Sequence, residues 1–369
     1  MKNYFWCKNC LNMSTRPRIN FDDKGVCNAC QWAEEKKSLN WKKREELLIE
    51  LLKDQKKNKK GPYDCLVPVS GGKDGTYVAH QLRDKHKAEI LTVTSRPPLE
   101  LDIGQKNLNN FASKFEHIHI TPNHKAMRTI NKLGFIKKGS PYYGWLVSIF
   151  TSVIRTAINS EIDLIFYGED GEIEYGGSIE SKDKPFFDVN FLIQKYLEGE
   201  HKEICAESGL TDSELFWFTF NNKEINKKDI RLTHWGYFEA WDPYRNYLFA
   251  KEKNLLIESK SANSGTFTNF AQNDQAFFAL HTYLMYLKFG FGRATQDAGI
   301  EIRRGAMTRD QGLNLVKLYD NSFPNQYLKL YLDYYQMTKE EFDSVLDKHV
   351  NKDLFKKTNG KWEPNFKIV

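Results

Sequence analysis

Two runs in this chain of 369 residues carry side chains at spacings that could do chemistry. The first is Ser70-Gly71-Gly72-Lys73-Asp74-Gly75-Thr76. Adjacent glycines let backbone N–H groups approach an anion, a helix starting there adds the positive end of its dipole, and Lys73 adds a cation, so the run suits phosphate. It is not a Walker A loop, which needs four residues between its glycines and then Gly-Lys-Ser/Thr. It also lacks the three spaced glycines of a dinucleotide site. The second run is Cys7-x-x-Cys10 with Cys27-x-x-Cys30. That is the spacing of two knuckles sharing one tetrahedral metal, and four thiolates leave no open position for a reactive water, so a structural zinc is expected. A rubredoxin-like iron site or a redox dithiol pair would use the same residues.

The elements that must position these runs are legible in the pattern. Tyr63–Val69 is short and apolar, as a buried parallel strand is, and Tyr77, Val78 and Leu82 recur at helical spacing after the loop. Pro68 has no N–H for a ladder and is expected where pairing ends. Strands at Ala88–Thr94, His117–Ile120 and Asp163–Tyr167 alternate with helices at Ile103–Phe115, 122–133 and 144–159. Such alternation predicts an α/β fold with a doubly wound parallel sheet, whose ligands sit at the carboxyl ends of the strands. Two features lie at those ends, the loop at 70–76 and Gly168-Glu169-Asp170-Gly171-Glu172.

Around this core the reading gives residues 1–60 as a zinc-binding module with a linker helix, 61–250 as the nucleotide domain with an insertion, and 251–369 as a helical C-terminal domain. Trp41–Lys53 reads as an amphipathic helix and Lys53–Lys60 as a solvated linker. Between about 181 and 230 the pattern weakens, with a helix expected at Asn190–Ser208 and a strongly apolar Phe216–Phe220; Leu232–Phe238 reads as a strand. His117 and His119 share one face of their strand and read as a partly buried pair. Thr308-Arg-Asp-Gln311 and Thr338-Lys-Glu-Glu341 are capping-box starts. Arg293, Arg303, Arg304 and Arg309 could clamp a diphosphate or form internal ion pairs with Asp297 and Glu301.

The formal charge of +6 permits phosphate-bearing partners without demanding nucleic acid. No window is apolar enough for a signal peptide or a membrane span, so a cytoplasmic location is expected, where disulfides are disfavoured. Cys65 and Cys205 have no partner spacing and read as buried bystanders.

The loop resembles the pyrophosphate loop, Ser-Gly-Gly-x-Asp-Ser/Thr, of N-type ATP pyrophosphatases, with Gly75 where that superfamily usually has a hydroxyl and Thr76 one position on. Six further features extend the likeness over nearly the whole chain: the paired cysteines, Pro97–Asn107, Gly168-Glu169, Glu174-Tyr175-Gly176-Gly177, Gly265–Asn269 and the Lys288–Arg309 block. Together they resemble the N-acetyl sugar amidotransferases of bacterial surface-glycan biosynthesis.

That resemblance implies an ATP-dependent conversion of an acetamido group on an activated sugar to an acetamidino group, with release of AMP and pyrophosphate. Ser70, Gly71, Gly72, Lys73, Asp74, Gly75 and Thr76 would hold ATP, Asp74 would hold Mg²⁺, and Lys73, Asp74 and Glu169 would be catalytic. Glu169 would be a second magnesium ligand or would orient the amine. Glu174, Tyr175, Arg293 and Arg303 would meet the sugar. The implied partners are a nucleotide- or lipid-linked N-acetyl sugar and separate glutaminase and cyclase-like subunits that channel ammonia, since no activated cysteine for glutamine hydrolysis is evident. The alternative is a tRNA-modifying enzyme of the same class, for thiolation or lysidine formation. A non-catalytic zinc scaffold that binds nucleotide is the reading from another class.

Overall fold

In a computed structural model the chain is described at residues 4–199, 201–221, 224 and 230–369. The N-terminal segment folds on its cysteines. Short bridges Trp6↔Met13 and Phe21↔Cys27 shape two knuckles, and Asp22 Oδ1 accepts from the N–H groups of Lys24 and Val26 to close the second turn. Helix α1 (Asn28–Glu35) leaves the second cysteine pair and leads to α2 (Trp41–Asn58), capped by Asn40. Helix α2 runs through most of the lysine-rich stretch read as a linker. Lysine is a good helix former, and Gln55 inside that stretch is buried, donating to Asp163 and accepting from Arg231 at 2.7 Å.

The central sheet is built from β1 (Cys65–Pro68), β2 (Ile90–Ser95), β3 (His117–Ile120), β4 (Leu164–Tyr167) and β5 (Arg231–His234). All neighbours are parallel, in the order β3-β2-β1-β4-β5. The crossovers carry α3 (Lys73–His80), α4 (Asp102–Ala112), α5 (His124–Lys138) and α6 (Tyr143–Asn159). The order reverses between β1 and β4, which makes their carboxyl ends the switch point of the sheet. Pro68 contributes to that opening. Val69 N–H bonds Val93 on β2 at 3.0 Å, so by alternation Pro68 faces β4, where it has no N–H to give. The β1–β4 ladder accordingly consists of Leu66↔Ile165.

Both faces of the sheet are covered. One core joins Leu48 and Leu52 of α2, Tyr77, Val78 and Leu82 on and just after α3, and Phe166, Trp235 and Phe238. The larger core joins the other sheet face to α5, α6 and the C-terminal helices. After β4 come α7 (Gly171–Tyr175), α8 (Val189–Tyr196) and α9 (His201–Ala206), so the helix expected over 190–208 is two shorter ones. Phe216–Phe220 packs on α6, with Arg155 over the Phe216 ring at 3.9 Å. The expected strand at 232–238 ends at His234 and turns into α10 (Trp235–Phe238).

Helix α11 (Pro243–Glu252) follows, then a long irregular segment, then α12 (Phe277–Phe289), α13 (Arg293–Arg303), α14 (Arg309–Tyr319), α15 (Leu328–Tyr335) and α16 (Lys339–His349). Both capping boxes form, at Thr308/Gln311 and Thr338/Glu341. The chain closes on an antiparallel hairpin, β6 (Phe355–Thr358) and β7 (Lys361–Pro364), which the pattern did not suggest. No helix among the described residues is long and apolar enough to cross a membrane.

Candidate active site

The loop leaves β1 with Ser70 exposed and turns at Gly71, whose φ is +80°. A Cβ on Gly71 would lie 2.5 Å from the backbone of Leu108, so α4 passes too close for any side chain. Gly75 has a packing reason too. Its first-turn position lies over the end of β1, and a Cβ there would stand 3.1 Å from Val69 Cγ1. A hydroxyl residue would have to push that valine aside. Thr76 does not replace the hydroxyl: its side chain is buried, its Oγ1 has no partner, and it is absent from the cavity wall.

Asp74 is the organised acid of the loop. Its Oδ1 accepts from Asn246 Nδ2 at 2.8 Å and Trp241 Nε1 at 3.3 Å, and its Oδ2 pairs with Lys73 Nζ at 2.5 Å. Neither Trp241 nor Asn246 was marked by a motif; both flank the Asp242-Pro243 start of α11. Gly168, at the end of β4, approaches Asp74 so closely that a Cβ would stand 3.2 Å from Asp74 Cβ. This contact brings Glu169 to the loop across the switch point.

Glu169 takes a hydrogen bond from the Tyr175 hydroxyl at 3.2 Å. Enclosure pushes its carboxyl up to about 7, and the Asp74 charge pushes the same way, while Lys73, Arg293 and the Tyr175 hydroxyl oppose. Arg293 enters from the start of α13. Its guanidinium stands 5.9 Å from the Tyr175 ring and bonds Asp297 at 2.8 Å, and Asp297 takes the Thr266 hydroxyl at 2.9 Å. The Gly265–Asn269 run is thereby fixed beside the loop.

A second acid comes from a part of the chain with no motif. Residues 270–274 cross over the loop, held by Leu101 N–H to Asp274 O at 2.9 Å, and Gly104 is tight against Asp274 Cα. Asn107 adds a two-way bond to the Ile257 backbone, at 2.6 and 3.2 Å. Burial raises the Asp274 carboxyl to about 7.

Three cavities share walls at this crossing. One of about 270 Å³ is lined by the loop, Asn107, Glu169, Asp274 and Arg293. A second of about 370 Å³ lies over the ends of β1, β2 and β4, among Val69, Thr94, Trp145, Phe150 and Tyr167. The third, about 270 Å³, is aromatic and lies on the other side of Lys73 and Arg293, among Tyr175, Tyr244, Phe267 and Phe270.

The structure thus brings Ser70 to Gly75, Glu169, Tyr175 and Arg293 together. It does not bring Glu174 and Arg303 there. Successive residues of α7 point in different directions, and Glu174 turns outward to grip Lys36 Nζ at 2.7 and 2.8 Å. Arg303 donates to the Glu174 carbonyl at 2.9 Å, beside the cysteine cluster. Arg304 pairs with Glu301 at 2.7 Å and Arg309 donates to the carbonyls of Cys7 and Cys10. Of the four arginines, Arg293 alone lines the cavity that the loop forms.

The cysteines form a separate centre. All four are buried and their sulfurs lie within 4.8 Å of one another. Cys7–Cys30 and Cys10–Cys27 are 3.8 and 3.6 Å apart, far beyond a disulfide and close to the edge of about 3.8 Å that metal–sulfur bonds of about 2.3 Å give a tetrahedron. Cys27 N–H to Cys7 Sγ at 3.2 Å and Asn12 N–H to Cys10 Sγ at 3.4 Å supply the donors that thiolates require. The residues fit one metal ion.

A parallel sheet with this strand order, opened at its switch point by a Ser-Gly-Gly-Lys-Asp loop, defines the fold class: a doubly wound α/β sheet whose ligand crevice lies at that loop. Residues 264–367 match the family described as "LPS biosynthesis protein WbpG-like, C-terminal domain". No curated protein matches the chain. Solved structures that resemble it include the NH3-dependent NAD synthetase of Campylobacter jejuni, at 14% identity over 51% of this chain and 91% of that one, TM-score 0.29. The U34-tRNA thiolase NcsA of Methanococcus maripaludis, with its [4Fe-4S] cluster, matches at 13% identity over 82% and 86%, TM-score 0.33. The NMN synthetase of Francisella tularensis matches at 11% identity over 61% and 100%, TM-score 0.29. The fold class rests on the strand order of the sheet.

Proposed function

We propose that this protein is an ATP-dependent amidotransferase of bacterial glycan biosynthesis that converts the acetamido group of an activated sugar to an acetamidino group. The observation that carries the reading is the meeting of a pyrophosphate-type loop with the aromatic cavity at Lys73 and Arg293, in a chain whose last third matches a lipopolysaccharide-biosynthesis family.

An amide carbon resists ammonia because its oxygen leaves poorly, so the oxygen must first be activated. The nucleoside of ATP lies in the cavity over β1, β2 and β4, with the phosphates on the loop. Ser70 and the N–H groups at Gly71 and Gly72 hold the departing pyrophosphate, and Lys73 neutralises charge that develops on its bridging oxygen. Magnesium would be held by Asp74, which lines the cavity beside Lys73, and would draw charge from the phosphates. The acetamido sugar enters through the aromatic cavity, and Arg293 faces the point where its amide oxygen becomes adenylylated. Ammonia then displaces AMP.

Zinc is the metal proposed for Cys7, Cys10, Cys27 and Cys30, in a structural role. A nucleotide- or lipid-linked sugar is the proposed substrate, with a separate glutaminase and a cyclase-like subunit supplying ammonia, in the cytoplasm. The test is incubation with Mg-ATP, ammonium and N-acetylated nucleotide sugars. Expected are AMP, pyrophosphate and a product whose mass reflects O replaced by NH. Release of ADP and phosphate would overturn the reading.

A further inference from the structure

We propose that Glu169 is the proton relay of the amine-transfer step, held for that task by the Tyr175 hydroxyl, and is not a ligand of magnesium. This rests on the amidotransferase reading above and assigns one step of it.

The position comes first. Glu169 lies where the phosphate cavity meets the cavity over the strand ends, and its partner Tyr175 lines the aromatic cavity on the other side. A group there reaches both the activated carbon and an amine arriving from the acceptor side. Its charged neighbours are Lys73 and Asp74 from α3 and Arg293 from α13, and the Tyr175 hydroxyl reaches it from the far end of α7. Tyr196 of α8 is within electrostatic reach as well. With the Tyr175 hydroxyl bonded to one oxygen at 3.2 Å and the carboxyl group at the junction of the two cavities, Glu169 is placed to take a proton from one nitrogen and return it to the other. A magnesium ligand would be kept ionised by its metal and could not carry a proton between two nitrogens. Asp74, on the loop itself, is better placed for that role.

The step balances. The ammonia lone pair forms a C–N bond to the O-adenylyl imidate carbon, and the C=N pair moves to the sugar nitrogen. Glu169 takes one proton from the new ammonium nitrogen and returns it to the sugar nitrogen. The C–O bond then breaks, its electron pair leaving on the AMP phosphate oxygen, and the product departs as an amidinium.

Two arms test this. In the first, Glu169→Gln should bind Mg-ATP within about threefold of wild type by calorimetry; a loss of tenfold or more would make Glu169 a metal ligand and overturn the proposal. In the second, with a sugar on which wild type acts, Glu169→Gln should lose about 100-fold in amidine formation from ammonium while still exchanging pyrophosphate into ATP. Equal loss of both would overturn it. Wild type should show an acid limb that Glu169→Gln lacks. Tyr175→Phe should move that limb to higher pH, because the hydroxyl favours the carboxylate; an unmoved limb would remove Tyr175 from the relay. Should wild type amidinate no sugar in the panel, the functional reading falls, and the calorimetry still decides whether Glu169 binds metal.

Discussion

The side-chain amide of Asn12 donates to the backbone carbonyl of Tyr175 across 3.1 Å and to Cys27 Sγ across 3.4 Å. One buried amide therefore ties the cysteine centre to the residue whose hydroxyl holds Glu169. The tie is reinforced on both sides, by Asn28 Nδ2 to Gly177 O at 2.9 Å and by a bidentate Arg18–Glu172 pair. Asn12→Ala leaves a buried carbonyl without its donor, at a cost of about 1–3 kcal/mol. A lower Tm with unchanged metal content is expected, together with roughly tenfold slower turnover from a loosened Tyr175. A lower Tm with a normal rate would confine the tie to stability.

Metal should be inseparable from the fold of the N-terminal segment. Its core is the cysteines, Ala29 and a few partly buried side chains, too little to order it alone. Metal analysis of the purified protein should give about one ion per chain, as four ligands in one cluster require. Cys7→Ser or chelation should expose residues 4–38 to protease and lower Tm. Unchanged protease resistance without metal would show that packing against α13 and α14 suffices.

The loop's tolerance is set by backbone contact more than by charge. Gly71→Ala meets a forbidden φ and the Leu108 backbone at 2.5 Å, so the turn must move. Mg-ATP binding and turnover should fall about 100-fold, comparable to Lys73→Ala, which removes a cation from the reacting phosphates. Gly75→Ser asks only that Val69 shift, and a loss below about threefold is expected.

How far these contacts were legible in the sequence varies with their range. The loop, the paired cysteines, the strand alternation and both capping boxes are local, and spacing alone marks them. Glu169 was visible because topology places the end of β4 beside the loop. Asp274, Trp241 and Asn246 were not, because they reach the site through long-range docking of segments with no periodic pattern. Glu174 and Arg303 stood in quoted runs beside Tyr175 and Arg293, but helical geometry turns them toward Lys36 and the cysteines. The Lys53–Asn58 stretch shows the same limit: its charge suggested solvent, while Gln55 buries against Asp163 and Arg231.

Asp274 gives a pH signature. Its folded carboxyl is raised to about 7, against about 4 in an unfolded chain. A raised acid favours the fold fully below its unfolded value, and that contribution is lost as pH rises through the folded one. Asp274→Asn stays neutral, so it should match wild type near pH 4 and exceed it at pH 8 by about 2–4 °C in Tm. A variant less stable than wild type at pH 8 would show that the carboxylate makes contacts worth more than its enclosure costs.

The source of nitrogen can be argued from the two spare thiols. Glutamine hydrolysis needs a thiolate beside a base, exposed to its substrate. Cys65 lies inside β1 with no exposure, and burial drives its thiol far above the ordinary range. Cys205 is pushed up to about 12, and its Sγ lies 3.2 Å from the Phe218 carbonyl. The other four sulfurs face one another in the N-terminal cysteine cluster. Free ammonium should therefore support amidination by the isolated protein while glutamine should not, and Cys65→Ser and Cys205→Ser should leave the ammonium rate within about twofold. Turnover with glutamine and ATP in the absence of any partner would defeat this expectation, and whichever serine variant abolished it would identify the nucleophile.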